Sequence, residues 1–142
     1  MHLIPVTILA IALLIPGLVR ANGDLIIEFE GFGNNRGTLA AALWNNKEEF
    51  LSRQHQPHLN FSGGIENNRV TWVIRDLAFG DYALSAFHDK NSNGELDSGL
   101  FGIPVEDYGF SNNARGNFGP PDYEDVRFEF KQSSQKQVIW IR

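Results

Sequence analysis

The chain has 142 residues, 17 acidic and 12 basic, no cysteine and a formal net charge of −5 at pH 7. That length suits one domain, alone or with a processed leader. The missing cysteines exclude a disulfide framework, a lipid-modified N-terminal cysteine and a thiol nucleophile, and the absence of a basic stripe argues against nucleic acid as a partner.

Leu3 to Leu18 is almost wholly apolar, interrupted only by Pro5, Thr7, Pro16 and Gly17. The run is short for a membrane span and suits the apolar region of a signal peptide. Val19, Arg20 and Ala21 offer acceptable residues before a cut, so a leader over 1–21 is expected, with no membrane span after cleavage. An uncleaved N-terminal anchor is the other reading of the same run. Cleavage leaves roughly 120 residues, 22–142, enough to build one apolar core without staples. Export to the periplasm or beyond follows from that leader.

From there strand signals dominate. DLIIEFE (24–30) puts Leu25, Ile27 and Phe29 on one face. GFGNNRG (31–37) is a turn cluster. Thr38 to Trp44 fits a second strand with Leu39, Ala41 and Leu43 inward, although its alanines suit a short helix equally. Asn45 to Ser62 is polar and ambiguous, with a helical turn around Lys47 to Leu51, and Gly63-Gly64 punctuates. RVTWVIR (69–75) reads as a strand, DLAFGD (76–81) as a turn, and Tyr82 to Phe87 as the next strand. Val126 to Lys131 and Lys136 to Arg142 supply the last two. The pattern predicts an all-β antiparallel β-sandwich, Ig-like or transthyretin-like with Greek-key connections and about seven strands. One long segment, 89–125, lacks regular periodicity. Such a segment in a small domain is functional or disordered, and Tyr108, Phe110, Phe118 and Tyr123 predict an ordered one, packed down as a cap.

Charge is concentrated around that segment. Asp81, Asp89, Glu95, Asp97, Glu106, Asp107, Asp122, Glu124 and Asp125 are nine of the 17 acids, against only Lys90 and Arg115 as bases. With Arg20 in the leader, the remaining chain holds eight acids and nine bases. A local acidic field attracts cations.

The sequence DKNSNGELD, 89–97, gives that attraction a focus. Counted from Asp89 as position 1, Asn91 is 3, Asn93 is 5, Gly94 is 6, Glu95 is 7 and Asp97 is 9. This is calcium-loop spacing: side-chain oxygens at 1, 3 and 5, a glycine for the sharp turn, a backbone carbonyl at 7 and an acid at 9. Position 12 departs from it, being Leu100 where a bidentate Glu is expected, so another donor must serve; Glu106 is the nearest candidate, with Asp107 beside it. The neutral Asn91 and Asn93 lower the charge of the site and point to low affinity. Against the metal stands a plain alternative, that Asp, Asn, Ser and Gly make turns without one. His88, beside the loop, is better placed as a structural hydrogen-bonder than as a ligand. His55 and His58 lie in a polar surface loop with no third ligand implied, and Gly109 to Asn113 lacks the second glycine of a nucleophile elbow.

The run HDKNSNGELD (88–97), then GIPVEDYGFSNNARG (102–116) and GPP (119–121), resembles an uncharacterised bacterial family, domain of unknown function 2141 (DUF2141). The resemblance extends over the leading strand, the turn from Asp76 to Tyr82 and the long loop. It implies an exported single-domain protein with a signal peptide, and brings no established activity. DLAFGDYAL (76–84) is also similar to the turn-and-strand signature of transthyretin-like and carboxypeptidase-regulatory-like sandwiches, which bears on fold alone. In the family-like motif, Tyr108, Phe110, Ser111, Asn112, Asn113 and Arg115 set hydrogen-bonding groups among aromatic rings. They could form a binding surface for a carbohydrate or peptide, or could instead satisfy the backbone of an irregular loop.

The expectation is therefore an exported, non-catalytic sandwich that binds calcium through the 89–97 loop and presents a surface on 106–115. Two other functions are consistent with the residues: an envelope enzyme acting on glycan or peptide through Glu106 or Asp107, and a structural or assembly module pairing through an exposed sheet edge.

Overall fold

The computed structural model describes Gly17 and residues 21–142. The expected leader, Gly17 and Ala21 apart, lies outside the described residues. Eight strands follow among the described residues: β1 (Asn22–Glu30), β2 (Thr38–Trp44), β3 (Leu59–Gly64), β4 (Val70–Ala78), β5 (Gly80–Asp89), β6 (Tyr108–Phe110), β7 (Phe128–Phe130) and β8 (Ser134–Trp140), with short 3-10 turns at Leu100–Gly102 and Ser111–Asn113 and one α-helical turn, α1 (Tyr123–Val126). They form two sheets, one ordered β4-β1-β8 and the other β3-β2-β5-β6, with β7 also on β5. The fold is an all-β sandwich.

Alternation builds the core. In β1, Leu25, Ile27 and Phe29 are fully buried and the residues between them are not. They meet Leu39 and Leu43 of β2, Trp72 and Ile74 of β4, Leu84 of β5, Phe130 of β7 and Ile139 of β8 in one cluster, as two facing pleated sheets require. The outer face of β1 is polar: Asp24 pairs with Arg75, Glu28 with Lys136 and Glu30 with Arg69.

Four features differ from the sequence expectation. β1 and β8 run parallel, Asp24 opposite Ser134 through Glu30 opposite Trp140, so the sheets are mostly rather than wholly antiparallel. Period-two alternation fixes faces and says nothing of strand direction. β3 begins inside the segment that reads as ambiguous and runs on through Gly63-Gly64, which belongs to the strand instead of marking a break. As an edge strand that is only half-buried, β3 carries a weak apolar signal, and the Phe61 ring fills the space over Gly63. The expected turn at 76–81 shrinks to Phe79. Asp76 is left-handed (φ 54°), its N–H donates to Asp24 Oδ1 at 3.0 Å, and the register on β1 shifts between Gly23 and Leu25, so the chain bulges and stays in the sheet. The segment 89–125 is ordered as expected, but Phe118 is fully exposed and takes no part in packing it down.

The rest of that cap does pack. Phe110 and Val126 bury against Ala83 and Trp44 on the outer face of the larger sheet, with Phe50, Tyr108 and Tyr123 around them. β5 is thus covered on both sides, which accounts for its nearly continuous apolar run. Its outer edge is shared: residues 85–87 pair with β6 and 80–82 with β7.

Candidate metal loop and its neighbouring surface

The loop grows directly out of the sheet. Asp89 is the last residue of β5, paired with Thr38, and is 2% exposed. Its carboxylate accepts from the backbone N–H of Asn93 (3.1 Å) and of Gly94 (2.8 Å), so the first residue ties down the sharpest bend. That bend needs left-handed backbone at Ser92 (φ 54°) and Gly94 (φ 78°), a conformation that glycine adopts without penalty. The neighbouring 31–37 turn abuts the root: a side chain at Gly37 would collide with the Asp89 carbonyl.

Asp97 is the second focus. Its two oxygens accept from the carboxamides of Asn91 (2.6 Å) and Asn93 (2.8 Å). Asn91 Oδ1 accepts from Asn93 N–H (3.3 Å) and Asn93 Oδ1 from Glu95 N–H (2.9 Å), the local bonds that let Asn shape turns. The structure therefore brings Asn91, Asn93 and Asp97 together and joins Asp89 to them through Asn93. The side chain of Glu95 is exposed, in keeping with a position expected to offer its carbonyl.

Leu100 is 84% exposed and takes no part in the loop. The loop is closed by Glu106, 6% exposed, whose carboxylate accepts from Lys90 N–H (3.0 Å) and Asp97 N–H (3.1 Å). It clamps the loop's second and ninth positions from one point. Asp107, on the opposite side of the chain, faces solvent and the Lys90 ammonium at 3.4 Å. Among the described residues, no group of three or more His, Asp or Glu side chains gathers as a metal site; the oxygens here come in large part from carboxamides.

His88 is fully buried, edge-on to Phe32, and its Nε2–H donates to the Arg36 carbonyl, which leaves Nδ1 without a hydrogen-bond partner. It anchors the 31–37 turn. His55 and His58 are exposed, beside Ser52 and Asn45.

On the adjoining surface, most polar groups hold backbone. Ser111 is fully buried; its hydroxyl accepts from Leu84 N–H (2.9 Å) and donates to the Val126 carbonyl (2.6 Å). Asn112, left-handed, donates to the carbonyls of Asp125, Val126 and Arg127, and Asn113 accepts from Trp140 N–H. The Arg115 guanidinium stacks 4.6 Å above the Tyr108 ring and donates to the carbonyls of Tyr108 and Arg142. Phe110 faces inward, so the outward part of this surface is Tyr108, Asn112, Asn113 and Arg115. Beyond it, Glu124 bridges Lys47 and Arg127, whose hydrogen bonds hold its carboxyl below the usual 4.5, while burial pushes the Tyr123 phenol up.

The model of the bacterial family described as "Uncharacterized protein conserved in bacteria (DUF2141)" matches residues 27–138. No curated protein and no solved structure matches the chain.

Proposed function

The chain belongs to the DUF2141 family of bacterial proteins, a membership that brings no activity with it, and we propose that it is an exported, non-catalytic β-sandwich binding calcium weakly through the 89–97 loop. Ion binding would fix the 89–97 loop, while Tyr108, Asn112, Asn113 and Arg115, held separately against the sheet, would face a carbohydrate or peptide. The observation that carries this reading is the gathering of Asn91 and Asn93 on the Asp97 carboxylate, at 2.6 and 2.8 Å, above a turn tied by Asp89. The two NH₂ groups supply positive charge where a cation would sit. A half-turn of a carboxamide would bring its oxygen to that point, giving up the bond that oxygen now accepts from the Asn93 or Glu95 N–H, and calcium would have to offset that loss. With the Glu95 carbonyl and the second lone pairs of Asp89, the oxygens approach the six to eight that calcium takes.

Thermal melts in calcium and in chelator test it. For a millimolar site, 10 mM calcium stabilises by about 1.4 kcal/mol, and Asp97→Asn removes that rise. An identical melting temperature in both buffers sinks the reading.

The enzyme alternative is disfavoured by Glu106, whose two oxygens are engaged by backbone N–H groups, and by Asp107, which faces solvent and Lys90.

A further inference from the structure

Between Asp97 and Glu106 the chain leaves the sandwich as a small closed finger. Val105 N–H donates to the Asp97 carbonyl (2.9 Å), Gly99 N–H to the Ile103 carbonyl (2.8 Å), and Ser98 bridges Pro104. No residue from Ser98 to Val105 carries charge. Its side chains point away from the protein: Leu100 is 84% exposed, Phe101 97%, Ile103 64% and Val105 62%. Phe101 sits at the tip in left-handed backbone (φ 61°, ψ 22°), a conformation rare for a bulky residue and worth attention as function.

We infer that this finger is an insertion tip for a neutral lipid surface. Four observations select that occupant. Its four apolar side chains, Leu100, Phe101, Ile103 and Val105, are all exposed, so the tip is a projection. Two cross-finger bonds, Gly99 N–H to Ile103 and Val105 N–H to Asp97, pair backbone groups along its sides, which lowers the cost of bringing them toward an apolar phase. Three residues on each side give it a reach of roughly 10 Å, about the depth to which interfacial apolar groups enter a bilayer. The acids around its root, Glu95, Asp97, Glu106 and Asp107, favour zwitterionic over anionic headgroups. A second copy fits poorly. The finger offers on the order of 500 Å² of apolar surface, enough to mark a contact site but short of the ~800 Å² per partner of a stable pair, and pairing tip to tip would face two acidic roots. The inference goes beyond the calcium reading and needs no ion. Asp97, shared by both, gives the finger a fixed root, since its N–H is held by Glu106 and its carbonyl by Val105.

The absence of cysteine allows a single label. The full chain carrying Leu100→Cys with an environment-sensitive fluorophore is mixed, in chelator, with vesicles of phosphatidylcholine alone or with phosphatidylglycerol added. A Gln132→Cys control reports the opposite end, beside the start of β1. The expected result is a blue shift at residue 100 and none at 132, stronger on the neutral vesicles. Phe101→Ser with Ile103→Ser in the labelled chain lowers partition by about tenfold or more, with an unchanged melting temperature showing that the fold is intact. A label at 100 that stays water-like on both vesicles overturns the inference. So does a blue shift that rises with protein concentration without lipid, which would make a second copy the occupant.

Discussion

The two halves of the 89–126 segment are held by different physics. Residues 89–105 stand on hydrogen bonds: Asp89, Asn91, Asn93, Asp97 and Glu106 bond to one another and to loop N–H groups, and the apolar side chains beyond them point to water. Residues 106–126 are pinned to the larger sheet at Phe110, Ser111 and Val126, which are buried, while 115–120 between them stay exposed. The first half can respond to an ion or a surface without disturbing the core. The second cannot move without opening a cluster of aromatic and aliphatic side chains.

The largest effect that would break this contrast comes from the second half. Phe110→Ala should cost about 3–5 kcal/mol in urea unfolding, and Phe118→Ala, at a fully exposed ring, less than about 0.5 kcal/mol. Equal losses would mean that the cap is not part of the core. Next comes the clamp. Glu106→Ala leaves the N–H groups of Lys90 and Asp97 without their acceptor and should cost about 2 kcal/mol. Hydrogen exchange should speed up across 89–105 and remain slow at 108–110; uniform acceleration would show the two halves to be one unit. Calcium should act on the first half alone, slowing exchange at 93–97 by roughly the tenfold that a 1.4 kcal/mol gain implies.

The smallest expected effect is electrostatic. Lys47 and Arg127 hold Glu124 below its ordinary 4.5, so as pH falls the unfolded chain takes up this proton first. The stabilisation is complete above 4.5 and disappears as pH drops through the lower folded value. Glu124→Gln should therefore melt slightly below wild type at neutral pH and equally with it in acid. A gap that persists in acid would assign the difference to packing.

Local chemistry was legible. Alternation in 24–30 and 69–75 located β1 and β4, and the spacing of Asp89, Asn91, Asn93 and Gly94 announced a tight, oxygen-rich turn whose bonds mostly close within a few residues. The missing acid at position 12 was also visible in the sequence. That the neighbouring Glu106 clamps two loop N–H groups was not, because an acid one position away would have faced solvent as Asp107 does.

Sequence by itself determined which faces of most strands are apolar and where the chain must turn, since both depend on neighbours one to five residues away. Tertiary structure alone decided that β8 runs parallel to β1, that an uncharged LNFSGG is the edge strand β3, and that Ser111 and Asn113 hold distant backbone. It also left Leu100 and Phe101 outside while Phe110 went in. Those outcomes depend on groups brought together across tens of residues, and side-chain type is the same whether a phenyl ring finds a cluster or water.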